Sequence, residues 1–182
     1  MKKSTKRILS VLGIVLTIVL IGIAALCFFV AGSYTKRNIS IYEKLCAEHE
    51  LLPELDELGN YTDVKFSDFH KHMFPFENEA YTLKVIYNAE NYQAQKTLLD
   101  TKYMFQDEPI DNHDKDIDPA FSYGGYDFRF LSDDYIDFRF PNYVYLIGTN
   151  DAENSIAYIY LDNGDIEIDS IEVLMEDYIN FK

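Results

Sequence analysis

The chain has 182 residues, with 31 Asp and Glu against 16 Lys and Arg and a formal net charge of −15. That surplus of carboxylates excludes the phosphate-neutralising surface on which nucleic-acid binding depends. Of its two cysteines, Cys27 lies in an apolar run, so the single Cys46 beyond it excludes an internal disulfide.

Lys2, Lys3, Lys6 and Arg7 precede an uncharged stretch from Ile8 to Thr35, which is almost wholly apolar as far as Val30. A helix rises about 1.5 Å per residue, so roughly 20 such residues cross a hydrocarbon core of about 30 Å. Residues 8–31 are therefore expected to form a transmembrane helix, an uncleaved signal anchor. The rival is a cleaved signal peptide, with Val30-Ala31-Gly32 or Ala31-Gly32-Ser33 as the cleavage site. Its apolar region normally spans only about 7–15 residues. Ala24-Ala25-Leu26-Cys27 resembles a bacterial lipoprotein signal, but the bulky Leu26 departs from that pattern and Cys27 lies deep in the run. Four basic residues before the span against Lys36 and Arg37 after it place residues 1–7 in the cytoplasm and the rest outside a bacterial cell membrane.

Residues 32–60 are expected as a linker with a juxtamembrane helix, and residues 61–182 as one acidic domain. Only ten of the Lys and Arg lie from Asn38 onward against all the acids, a formal charge of −21. Basic proteins, cationic peptides and metal ions fit such a charge; anionic lipid headgroups do not. Tyr, Phe and Ile in regular alternation give the domain the apolar area that a disordered acidic tail lacks.

Ile41, Leu45 and Leu52 share one face of a predicted helix from Ile39 to Leu58, bent or broken by Pro53. Tyr61 to Phe66 reads as a strand, and Tyr81 to Tyr87 as a better one, with Tyr81, Leu83, Val85 and Tyr87 on one face. Asn88 is a suitable N-cap for a helix from Ala89 to Phe105. Gln106 to Ser122, acidic and bounded by prolines, reads as an exposed loop closed by Gly124-Gly125. Tyr126 to Phe130 is echoed by Ile136 to Phe140; as a hairpin, Arg129 faces Asp137, Asp127 faces Arg139, and the aromatic rings meet on the other side. Tyr143 to Thr149 and Ser155 to Leu161 are apolar on both faces, as suits central strands. Asn163-Gly164 signals a tight turn setting Leu161 against Ile166 and Ile159 against Ile168. Asp169 to Glu172 resembles a capping box opening a last helix with Ile171, Leu174, Met175 and Tyr178 on one face. The expected fold is α+β: a transmembrane helix, then a mainly antiparallel sheet of about five to seven strands packed by two or three helices.

Chemistry is sparsely marked. His70-Lys71-His72 sets two imidazoles on one side of an extended segment, with Asp68 and His49 as recruits, but zinc needs a fixed set of three or four ligands. Two surface histidines beside a turn at Pro75 are the expectation. Asp114-Lys-Asp116-Ile-Asp118 opens like a helix-loop-helix calcium loop, yet Pro119 and Gly125 stand where Gly and Glu are required. Asp114, Asp116 and Asp118 remain candidate ligands for a low-affinity cation site within a solvated loop. Cys46 and His49 share a helix face, but a dyad usually assembles across the fold. There is no nucleophile elbow, P-loop or dinucleotide fingerprint, and no catalytic residue or cofactor is assigned.

The expected role is binding without catalysis, in a sensor, assembly or immunity-type protein that takes a basic protein or peptide. Its contact residues would be Asp107, Glu108, Asp111, Asp114, Asp116 and Asp118. The alternative is a cell-surface hydrolase whose carboxylate pair is not marked by any motif.

Overall fold

The computed structural model describes residues 3–31, 33–49, 51–73, 76–112, 115–132 and 142–163. Within these, side chains are described except at 3–9, 26–31, 72, 73, 76, 77, 111, 112, 115, 142 and 163. The fold is α+β, with three helices and a seven-stranded antiparallel sheet among the described residues.

Helix α1 (Lys3–Ala31) has 29 residues, and its apolar side chains between 11 and 23 are each 50–65% exposed. Among the described residues no helix is long and apolar enough to cross a membrane. In α1 the described side chains run from 10 to 25, a rise of roughly 24 Å. Strand β1 (Ser33–Lys36) follows, then α2 (Ile39–Cys46), whose N-cap Asn38 accepts from the Ser40 amide at 3.1 Å.

The helix expected over residues 39–58 thus stops at Cys46. The chain then folds through successive turns, closed by Leu45–His49, His49–Leu52 and Glu54–Glu57 backbone bonds. These turns carry Leu52 and Leu58 into the core, which a straight helix would not do. Within residues 32–60, expected as a linker with a juxtamembrane helix, β1 pairs with β2, α2 is the helix, and Tyr42, Leu52 and Leu58 join the core.

The β2–β3 hairpin (Asp63–Met73, Phe76–Ile86) is longer than either predicted strand. Asn88 caps α3 (Ala89–Lys102) as expected, accepting from the Asn91 amide at 2.8 Å. Short strands β4 (Ile110–Asn112) and β5 (Lys115–Ile117) pair in a separate two-stranded sheet. Next come β6 (Ala120–Tyr123), β7 (Tyr126–Phe130), β8 (Asn142–Asn150) and β9 (Ser155–Asn163). The large sheet runs β1-β2-β3-β9-β8-β7-β6, every neighbouring pair antiparallel. Gly124 and Gly125, both at positive φ, make the two-residue turn between β6 and β7.

One face carries Phe66, Leu83, Val85, Tyr158 and Ile147 and is covered by α2, the 51–58 turns and α3. The other carries Ala80, Ile159, Leu146, Phe128 and Phe130, with Ile110 and Ile117 packed against it.

Two hairpin expectations are corrected. Residues 133–141 lie outside the described set, but β7 already has both edges filled: Arg129 stands between Ala120 of β6 and Ile147 of β8. Arg129 bonds Asp100 of α3 at 2.7 Å, and Asp127 accepts from Ser122 at 2.7 Å. Likewise Ile159 lies between Thr82 and Leu146, and Leu161 between Ala80 and Val144, so both edges of β9 are filled; Ile166 and Ile168 lie outside the described residues. The helix expected after Asp169 lies outside the described residues.

Candidate functional site

The sheet's register builds two adjacent rows of polar and aromatic residues across five strands. One row is Lys36, Asp68, Tyr81, Tyr160 and Tyr145; the next is Tyr34, His70, Glu79, Asp162 and Tyr143. Period-two alternation puts all ten on one face, beyond the apolar row of Phe66, Leu83, Tyr158 and Ile147. The face is therefore a hydrocarbon core at one end and a polar, tyrosine-lined platform at the other.

His70 is only 7% exposed. Its Nε2 lies 2.6 Å from Asp68 Oδ1, and its Nδ1 lies 3.3 Å from Glu79 Oε1. Tyr34 stacks on its ring with centroids 4.6 Å apart, and Lys36 Nζ approaches Asp68 Oδ2 at 3.5 Å. Strand β1 is thus fastened to β2 by a ring stack and an ion pair as well as by backbone bonds. Asp68 lies two residues away on the same strand, but Tyr34 of β1 and Glu79 of β3 close on the expected surface histidine from neighbouring strands, which spacing within one segment does not reveal.

Further along the rows, the Tyr81 hydroxyl donates to Glu79 and the Tyr160 hydroxyl to Asp162, the latter at 3.4 Å. His49 enters from the segment after α2. Its ring centroid lies 4.3 Å from Tyr160 and 5.5 Å from Tyr81, and its Nδ1 lies 3.1 Å from the Tyr145 hydroxyl. Burial pushes the Tyr81 and Tyr160 hydroxyls well above the usual phenol range, with their carboxylate partners adding to it. Burial raises the Asp162 carboxyl, and the like charge of Glu79, directly opposite on β3, adds to that. Burial lowers the His49 imidazole against the opposing pull of Glu48, Glu79 and Asp162. The tyrosines are hydrogen-bond donors here, not bases or nucleophiles.

Cys46 and His49 do not form a pair. The thiol turns to the Pro53 carbonyl at 3.6 Å and is held up by burial, whereas His49 turns to Tyr145. A cavity of about 370 Å³ opens beside Cys46, lined also by Glu43, Ala47, Glu54, Leu55 and Asp56. It offers carboxylates and a protonated thiol, not an activated nucleophile.

The acidic segment is more ordered than a solvated loop. Ile110 and Ile117, opposite one another on β4 and β5, are buried against the second face of the sheet. Asp107, Glu108, Asp116 and Asp118 are exposed, and none makes an ion pair among the described residues. Asp111 and Asp114 side chains lie outside that set. Among the described residues, no group of three or more His, Cys, Asp or Glu is placed to hold a metal ion. Reading the sequence missed the hairpin, since Ile110 and Ile117 are too few to show periodicity, and Gly124-Gly125, read as the close of a loop, is the turn of the β6–β7 hairpin.

No protein-family model, curated protein or solved structure matches this chain.

Proposed function

We propose that this chain is a single-pass membrane-anchored protein whose acidic domain stands outside the cell and binds a basic protein or peptide. The observation that carries the binding reading is the set of exposed carboxylates Asp107, Glu108, Asp116 and Asp118, unpaired among the described residues and supported from beneath by Ile110 and Ile117. Elsewhere the exposed acids Glu57, Asp100, Asp151 and Glu153 are matched to Lys102, Arg129, Lys96 and Lys84, whereas others such as Glu43, Asp63 and Glu90 are also exposed without an ion pair among the described residues. Asp107, Glu108, Asp116 and Asp118, close together in sequence beside the buried Ile110 and Ile117, make a local negative field that steers a cationic partner chiefly through the on-rate. The anchor is supported by the apolar run of residues 8–31 and by exposed apolar side chains on every side of α1. Such a helix needs an apolar surrounding.

The test replaces Asp107, Glu108, Asp111, Asp114, Asp116 and Asp118 with Asn or Gln in the full-length, detergent-solubilised chain. Binding of a labelled poly-lysine peptide should weaken at least tenfold, and binding to the unaltered chain should fall as salt rises. Equal affinity before and after neutralisation would remove the reading.

A further inference from the structure

We propose that His49 is a pH-operated latch that holds the strap of residues 47–49 and 51–58 against the tyrosine rows of the sheet. The strap is tied to the helices by the Tyr42 hydroxyl on the Pro53 carbonyl at 2.7 Å and by Lys102 on Glu57, and to the strands through His49. Its backbone bonds are local, with the His49 amide on the Leu45 carbonyl at 2.9 Å and the Leu52 amide on the His49 carbonyl at 3.0 Å. These bonds tie the imidazole's position to the end of α2 on one side and to the turn carrying Leu52 on the other. The ring itself reaches three strands at once, touching Tyr81 of β3, Tyr160 of β9 and Tyr145 of β8.

The pocket suits a neutral ring. From β3 it is faced by Tyr81 and Glu79, from β9 by Tyr160 and Asp162, from β8 by Tyr145, and on its own segment by Glu48. The hydroxyls of Tyr81 and Tyr160 are committed to Glu79 and Asp162, so the polar contact of His49 is with Tyr145. No carboxylate lies within ion-pair distance of the ring among the described residues. An imidazolium there loses water on two tyrosine faces and gains only distant charges in return. The desolvation effect outweighs the carboxylates, and the docked ring holds its proton less tightly than a free one.

The sign follows. The free imidazole titrates near 6.5, and the docked one lower. The latch therefore contributes fully above the ordinary value and loses its contribution as pH falls below it. One proton moves the opening equilibrium by at most about tenfold per pH unit. Leu52 and Leu58 resist opening, so release is local to the strap and not a global unfolding. Release uncovers Tyr81, Tyr145 and Tyr160 beside Glu79 and Asp162.

Hydrogen exchange on the full-length chain in detergent micelles tests this, with rates corrected for their intrinsic pH dependence. Between about pH 7.5 and 5.5, protection of amides in residues 47–49 and 51–58 should fall severalfold, by at most about tenfold, while β9 amides keep theirs. His49→Gln keeps a polar group near Tyr145 but does not titrate, and it should abolish the pH response. His49→Phe, which fills the same space, should do the same and serves if the Gln variant is poorly folded. Strap protection that is constant with pH, a response that survives either substitution, or equal loss in β9 would each overturn the latch.

Discussion

Phe128 of β7 lies across Gly148 of β8 so closely that a Cβ built at 148 falls well inside contact distance of its ring. The glycine's backbone angle needs no special residue; the requirement is space for a ring stacked on Phe121 and Tyr126. Gly148→Ala should therefore cost about 1–3 kcal/mol by overpacking, measured by urea unfolding. Phe128→Leu should relieve part of that cost, so the double variant should be more stable than the sum of the single effects requires. Additive costs would show that the strands part to admit the methyl group. No reading of the chain finds this residue, because the demand on position 148 comes from a ring on another strand. His70 was opaque for a related reason. His-Lys-His looks like a polar edge until Tyr34 of β1 and Glu79 of β3 are brought around it. Tyr81, Leu83, Val85 and Tyr87, in contrast, were readable as one buried face, since alternation within one strand is enough to specify it.

Elements were legible where their signals are local. Asn88 followed by a helical run gave α3 within three residues of its end, and continuous apolar strands gave β8 and β9 as central. Pairing was less legible. A register that matches charges and rings says which residues would suit one another, not which strand reaches an edge first. β7 and β9 each had an attractive partner in sequence, and each has both edges occupied by other strands. The cap can be tested directly. Asn88 Oδ1 accepts from Asn91 N at 2.8 Å, at an exposed position where no packing changes. Asn88→Ala should lower stability by about 0.5–2 kcal/mol, and Asn88→Asp should be close to neutral. The readout is the urea midpoint at unchanged slope. An Ala variant as stable as the parent would mean that α3 is held by its buried Tyr92 and Leu99 alone.

At the scale of the whole molecule, two electrostatic effects oppose each other. The sequence beyond Asn38 carries −21, so carboxylates repel one another throughout the domain. Against this, Lys36, Lys84, Lys96, Lys102 and Arg129 each hold a specific acid. Lys102 holds the Glu57 carboxyl below the usual carboxylate range, and Lys96 does the same for Asp151. Those contributions are present above the ordinary carboxylate values and are lost as pH falls through the lowered ones. Salt weakens both effects, but unequally. Pairs in contact at exposed positions contribute little and are separated by less than a screening length, whereas the summed repulsion acts across the domain. The screening length falls from about 30 Å at 0.01 M to about 8 Å at 0.15 M, so long-range repulsion is what salt removes first. Sodium chloride added over that range near pH 7.5, where His49 stays neutral and the carboxylates stay charged, should raise Tm by roughly 3 °C or more. The gain should shrink once Asp107, Glu108, Asp111, Asp114, Asp116 and Asp118 are neutralised, because Asp107, Glu108, Asp116 and Asp118 supply repulsion without a matching cation among the described residues. A Tm that falls with salt would mean that the lysine and arginine pairs dominate, and that the acidic surface is tolerated at little cost to stability.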